Sequence, residues 1–383
     1  PECLSWSIVC YGIVIEKFFP QILIVWLTNP DASFSSTSFW FNTVAPDARL
    51  HSGRFMQAAV LDEIPSQYPR IREVPSPSAA VGEVRVEVSA CGICGTDLHI
   101  LSGQSYRPTL PLVLGHEPSG KVVALGDGVT PSLLGKRVVP HLFLGCGTCF
   151  QCQKGDDRLC IQLRTILGIQ NQNGGFAGSY VTAEKNCILI PDEISDFEAA
   201  AVVDSGATAF NAVRHLTDAS KRDVVVVGGG PVGFIVAQIL RDQGIEPWIV
   251  EPNEHRLAAL VEVDHRAVMT REEIECSPTA IIECTGGSGV SSWAIDFLES
   301  QGQLILAGYA REPNFEMSQV ARKELGIQGI RSGSRNDLIK VISMVGQRQI
   351  RLPELNIWPL ADIDTALDAM RSGKVRGKPV IAL

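Results

Sequence analysis

Cys146, Cys149, Cys152 and Cys160 place four thiols within fifteen residues, and their two-residue gaps let one loop wrap a tetrahedral ion. Zinc takes four thiolates in closed sites that contribute directly to folding. An iron–sulfur cluster uses similar spacings, and four reduced cysteines in a loop need no ion at all. All four ligands come from one lobe, 146–160, with no open position left, so the cluster is expected to serve stability and not catalysis. A second set is more dispersed: Cys91-Gly-Ile-Cys94-Gly-Thr96-Asp97-Leu-His99, followed about twenty residues later by Gly115-His116-Glu117. A lone Cys or His is more often a core residue, and Cys91 is read as one. The third pattern is Val224-Val-Val-Val-Gly228-Gly-Gly230-Pro-Val-Gly233, a buried run opening into a glycine triplet. Gly228 permits a tight turn, Gly230 lets the backbone approach a pyrophosphate, and Gly233 allows close helix–strand packing. The phosphates are expected at the helix N-terminus. Glu251, about twenty residues on, can accept the adenosine ribose hydroxyls and would repel a 2′-phosphate, which favours NAD over NADP. Arg256 works the other way, because a nearby guanidinium can accommodate that phosphate.

These residues need elements to hold them. From Met56 to about Phe197 short apolar runs are punctuated by Gly and Pro, as at Gly82–Val88, Gly120–Leu125, Lys136–Val139 and Cys187–Ile190, which predicts a mostly antiparallel β domain. From Ala199 onward helices and buried strands alternate: helix over Ala199–Leu216, strand Val224–Val227, helix Pro231–Gln243, then strands Trp248–Val250, Ala280–Glu283 and Leu304–Ala307. Such alternation gives a parallel, doubly wound sheet. A helix near Asp362–Met370 and a strand near Pro379–Ala382 end the chain and could return to the first domain. The interval from Glu251 to the Ala280 strand is short, as if one helix of the cofactor domain were trimmed, which puts the adenosine pocket in question.

With the glycine motif beside it, the Cys94–His116 set becomes a constellation, and from Met56 to the C-terminus the chain resembles the zinc-containing medium-chain dehydrogenase family, which includes alcohol, sorbitol and threonine dehydrogenases. The resemblance implies a GroES-like, mostly antiparallel β catalytic domain (56–204 and 336–383) and a doubly wound parallel-sheet Rossmann domain (205–335), with 1–55 outside the core. It makes Cys94 and His116 ligands of a catalytic zinc, with Glu117 beside the metal or a transient ligand. It puts the third ligand at Asp204, where many members have Cys. A carboxylate is an acceptable zinc ligand, although an Asp there could also cap a helix. The family's proton path implies a hydroxyl at Thr96, then the nicotinamide ribose, then His99. Thr208, Cys284-Thr285-Gly286 and Leu306-Ala-Gly308 resemble positions around the nicotinamide and adenosine. Arg376 resembles a basic residue that reaches the pyrophosphate, unless it is a solvated surface arginine. The implied reaction passes hydride from an alcohol or polyol CH–OH group to NAD, reversibly; a zinc-stabilised but catalytically inactive relative is the alternative.

Size and composition agree. At 383 residues two cores are expected, and 45% hydrophobic with 20% charged residues is an ordinary globular balance. A net charge of -9, spread along the chain, argues against nucleic acid or an anionic membrane as partner and leaves a small alcohol, polyol, aldehyde or ketone. A long chain whose cysteines cluster metal-fashion points to a reducing cytoplasm. Ile8–Leu27 is apolar enough to suggest a signal or membrane segment, but Glu16, Lys17 and Pro20 interrupt it. Ser33–Phe41 has no countable period, and the stretch before Met56 reads most simply as upstream sequence translated in frame. A homodimer or homotetramer is implied by the resemblance.

Overall fold

The computed structural model describes residues 9–10, 13–17, 23–27, 55–309 and 316–383. Residues Pro1–Ser52 and Gly53–Leu383 are separate compact units. In the first, Val9–Cys10, Ile13–Lys17 and Leu23–Leu27 form a three-stranded antiparallel sheet; Ser33–Phe41 lies outside the described residues. Among the described residues no helix is long and apolar enough to cross a membrane.

In the second unit, strand Glu83–Gly92 organises a seven-stranded sheet. Val84, Val86 and Val88 are buried while Glu87 between them is exposed, the period-2 pattern of a strand with one face on the core. It pairs antiparallel with Glu117–Leu125, with Ser179–Ala183 and with the C-terminal strand Lys378–Ala382. Arg137–Pro140 and Cys187–Leu189 extend one side, and Leu355–Pro359, parallel to the last strand, ends the other. Gly92 stands opposite both Glu117 and Val380, so the start of one neighbour and the C-terminal return meet at the end of this strand.

The second large sheet is six-stranded and parallel, in the order Arg266–Val268, Trp248–Val250, Val224–Val227, Ala280–Glu283, Gln303–Leu306 and Gly326–Gly329. Its central strands are buried throughout, which explains the Val224–Val227 run and the apolar Ala280–Ile282 that precedes buried Glu283. The short interval after Glu251 still contains helix Glu254–Glu262, but only a one-turn segment, Arg271–Glu273, precedes the Ala280 strand; a helix is missing and the sheet nonetheless closes.

One expected element divides. The helix read over Ala199–Leu216 is two, Asp196–Ala200 and Ser205–Arg214. Ser195 and Glu198 form a capping box that starts the first early. At the junction the Ala207 amide reaches the Val202 carbonyl five residues back, and the Ser205 hydroxyl bonds the Ala201 carbonyl at 2.5 Å. The alanine- and valine-rich run masks that break, whose local mark is Asp204-Ser205-Gly206.

Candidate active site

The two strands bordering Gly92 bring distant side chains together. Cys94 lies two residues beyond the end of Glu83–Gly92, and His116 directly precedes Glu117–Leu125. Asp204 closes the group from the turn before Ser205–Arg214. It sits at the N-cap position of that helix, yet its side chain makes no capping bond. Its Oδ2 lies 3.7 Å from His116 Nε2 and 3.9 Å from Cys94 Sγ, and one ligand atom from each of the three lies within 4.8 Å of the others. Tetrahedral zinc with ordinary bond lengths spaces N, O and S ligands roughly 3.3–3.6 Å apart, so the three need only contract slightly around an ion. The donor chemistry agrees: His116 is fully buried, and neither ring nitrogen has a hydrogen-bond partner. A buried imidazole is expected to be satisfied, and a cation on Nε2 would satisfy it.

Asp97, fully buried on helix Gly95–Leu101, places Oδ1 3.4 Å from His116 Nδ1 while Oδ2 accepts the Cys94 amide at 2.9 Å. One carboxylate thus bonds the Cys94 backbone and faces the His116 ring, close to the arrangement that orients metal-binding histidines. Burial opposes protonation of His116, but Asp97, Asp204 and Cys94 outweigh it and raise its pKa well above the ordinary value; the same negative field draws in a divalent cation. Burial pushes the Asp204 carboxyl up, whereas His116, the Ser332 hydroxyl and Lys378 prevail and hold it low.

Glu117 is buried beside the trio and forms a short ion pair with Lys378, itself buried on the C-terminal strand. Burial works against the ammonium, yet Glu117, Cys94 and Asp204 keep it charged with a raised pKa. A Cβ on Gly92 would fall 2.5 Å from Glu117 Oε2, so glycine leaves room for this pair. Lys378, Asp97 and Ser332 escaped the sequence reading. Asp97 stands inside the Cys91–His99 run; nothing local marks Lys378 or Ser332. Thr96, half-buried, holds Oγ1 3.8 Å from Cys94 Sγ, and half-buried His99 lies on the same short helix, three residues on.

The four cysteines also converge. All four sulfurs lie within 4.8 Å of one another, and Cys149 Sγ to Cys160 Sγ is 3.8 Å, the spacing of roughly 3.8 Å that two thiolates take on tetrahedral zinc. Backbone amides point at sulfur: Thr148 and Cys149 donate to Cys146, and Cys146 and Gln162 to Cys160. The Thr148 hydroxyl and those amides pull the Cys146 thiol down to about 5, while burial pushes Cys152 up to about 12. Gly145 is required, because a Cβ there would meet Cys152 Sγ at 2.5 Å.

The three motif glycines behave differently from one another. Gly228 has φ +96°, and a Cβ on Gly233 would lie 1.8 Å from the Gly228 carbonyl oxygen, whereas a Cβ on Gly230 meets nothing within 4 Å. Gly230 is the N-cap residue of helix Pro231–Asp242, with no side-chain capping bond and open space where a Cβ would stand, room for a phosphate to approach the helix N-terminus. Buried Glu251 accepts the Gly229 amide at 2.8 Å and the Asn253 amide at 2.8 Å, with Arg256 Nη1 3.9 Å away. Thr208 is buried on helix Ser205–Arg214. Arg376 is engaged elsewhere, donating to Glu262 at 2.5 Å with Glu354 3.9 Å off.

Residues 80–192 match the family model of the alcohol dehydrogenase GroES-like domain, and residues 231–347 that of zinc-binding dehydrogenases. An alcohol dehydrogenase of Moraxella is 30% identical over 85% of this chain and 99% of its own length, and a sorbitol dehydrogenase of Halalkalibacterium halodurans is 28% identical over 83% and 97%. Among solved structures, a thermostable alcohol dehydrogenase from Pyrobaculum aerophilum superposes with TM-score 0.79 at 26% identity, covering 86% of this chain and 100% of that one. The acetophenone reductase of Geotrichum candidum, solved in complex with NAD, gives 0.79 at 25% identity over 86% and 97%. With the ligand trio, the four-cysteine lobe and the glycine turn all in place, the chain belongs to the zinc-containing medium-chain dehydrogenase family and is a zinc-dependent oxidoreductase of the alcohol dehydrogenase type.

Proposed function

We propose that the protein transfers hydride between the CH–OH group of a small alcohol or polyol and NAD, with Cys94, His116 and Asp204 holding the catalytic zinc and Cys146, Cys149, Cys152 and Cys160 a structural one. The observation that carries this reading is the convergence of Cys94, His116 and Asp204 beside the Thr96 hydroxyl. A zinc ion bound there supplies Lewis acidity, which makes a hydroxyl in its open position a better proton donor. Thr96 is placed to accept that proton, and His99, on the same helix, to hand it toward solvent. Asp97 holds the His116 ring, and Lys378 balances the charge of Glu117 so that the pocket is not left with an excess buried carboxylate. The intact set leaves no feature that favours an inactive relative.

Glu251 supports NAD over NADP, although two backbone amides already occupy its oxygens, so ribose hydroxyls must share them. Arg256 lines the same corner, Thr208 the nicotinamide side, and Arg376 reaches the pyrophosphate only by leaving Glu262. We assign catalysis to 56–204 with 336–383 and cofactor binding to 205–335, a division supported by which strands share each sheet. The nine cysteines from Cys91 to Cys284 are free thiols, which supports a cytoplasmic setting. A homo-oligomer built through the cofactor domain is supported by the exposed edge strand Gly326–Gly329.

A panel of secondary alcohols, polyols and threonine with NAD and with NADP, read as dinucleotide absorbance beside a zinc count, tests the reading. Two zinc ions per chain and NAD-dependent turnover are expected. One zinc ion and no turnover with any substrate would overturn it.

A further inference from the structure

The third ligand differs from the other two in how it is held. Cys94 and His116 flank paired strands and share Asp97, but Asp204 lies in the turn between two helices, where no strand fixes it. Its carboxylate is nevertheless divided cleanly. Oδ2 faces Cys94 and His116, while Oδ1 accepts the Ser332 hydroxyl at 2.6 Å, across 128 positions of sequence.

Ser332 is itself constrained. Its φ is +45°, the left-handed region that a residue with a side chain adopts only when its surroundings impose it. Those surroundings are visible. The Ser332 carbonyl accepts Asn211 Nδ2 at 2.6 Å and Arg158 Nη1 at 3.2 Å, and the preceding Arg331 carbonyl accepts Arg158 Nη1 at 2.7 Å. Arg331 returns a bond to the Arg158 carbonyl at 2.9 Å. Arg158 is 4% exposed, locked by two bonds to Asp156, and belongs to the four-cysteine lobe between Cys152 and Cys160. On the next residue the chain presses on the helix that follows Asp204: a Cβ on Gly333 would lie 2.3 Å from the Ala207 carbonyl oxygen.

We infer that Ser332 is a positioning residue for the catalytic metal, fixing the rotamer of Asp204 so that one oxygen is presented to the ion, and that its own backbone is held by Asn211 and by Arg158 of the cysteine lobe. A free Asp carboxylate can turn about its terminal bond and offer either oxygen, or bind through both; a hydroxyl on Oδ1 removes that choice. Residues bonded to metal-ligating groups in this way typically change metal affinity by 10- to 100-fold when removed.

The inference rests on the reading of Cys94, His116 and Asp204 as a zinc site, and the test separates the two. In the zinc-loaded full chain, release of zinc to a chromogenic chelator is followed for the wild type, Ser332→Gly and Ser332→Asn. Glycine suits φ +45°, so that variant loses the hydroxyl without straining the backbone, and a folded chain is expected. The expected result is one zinc ion released roughly 10- to 100-fold faster, the other at the wild-type rate. Asparagine, which tolerates left-handed backbone and carries an amide donor, is expected to restore at least part of the slow release. The cobalt-substituted forms should show a shifted visible band for Ser332→Gly. A wild type that holds only the lobe zinc would refute the catalytic site itself. Two slow zinc ions in Ser332→Gly, with an unchanged cobalt spectrum, would refute the role of Ser332 alone.

Discussion

Replacing Gly230 and Gly233 separately by Ala distinguishes a residue kept small for a ligand from one kept small for the fold. At Gly233 the added carbon would sit 1.8 Å from the Gly228 carbonyl, and the forced backbone shift is expected to cost about 3 kcal/mol or more, read as a lowered thermal midpoint. At Gly230 there is open space and an ordinary φ of −68°, so the cost should stay near the ~1 kcal/mol of a poorer helix cap. NADH binding, followed by fluorescence, is instead expected to weaken about tenfold or more, equivalent to about 1.4 kcal/mol. Equal stability loss in the two variants would contradict the assignment. At this scale the sequence was informative wherever spacing alone implies geometry, as for the four cysteines and the glycines. It was silent where the partner is remote. Lys378 meets Glu117 across 261 positions, and only strand pairing reveals it. Substituting Met for Lys378 strands a buried carboxylate and should destabilise the fold by about 3–5 kcal/mol, with Glu117→Gln recovering part of the loss.

Among the elements, legibility followed burial. Val224–Val227 and Trp248–Val250 begin and end where the apolar runs do, because strands covered on both faces are apolar and stop where polar or glycine residues start, while Ala280–Glu283 runs one residue further onto buried Glu283, which accepts the Thr285 and Gly286 amides. The 199–216 stretch misled for the opposite reason. The alanine and valine run favours one continuous buried helix, and the poor helix formers Asp204-Ser205-Gly206, which mark the break that brings Asp204 beside Cys94 and His116, weigh little against it in a reading by apolar period. The cysteine lobe, which has little regular structure of its own, carries a pH prediction. With Cys152 raised to about 12 by burial, that thiol keeps its proton near neutral pH until zinc displaces it. Zinc uptake by metal-free lobe must therefore release a proton, so apparent affinity should rise as pH increases from about 6 to about 9. A pH-independent affinity in competition with a chelating dye would show that the four sulfurs do not take up zinc as thiolates.

For the whole molecule, the parallel sheet has two edges that are treated unequally. At one, Arg266 stacks its guanidinium 4.0 Å from the Trp248 ring centre, a charged edge that discourages pairing with another chain. At the other, Gly326–Gly329 is Gly-Ile-Gln-Gly, uncharged and exposed along its length, with Tyr309 65% and Met317 70% exposed among the described residues of the same domain. An unpaired, uncharged strand edge in a native protein is usually covered, and a two-fold axis beside it would join the sheets of two copies edge to edge. The Gly326 and Ile330 amides bond inward to Gly302 and Leu306, so by alternation the Gly329 amide faces outward, and Gly329→Pro removes a backbone donor from that edge without touching Cys94, His116, Asp204 or the glycine turn. Light scattering after size exclusion is expected to show the wild type as a dimer or larger and the variant shifted toward monomer, with both zinc ions retained. If the wild type runs as a monomer at micromolar concentration, this edge has no partner copy and the proposed assembly fails, while the chemistry of Cys94, His116 and Asp204, contained within one chain, is unaffected.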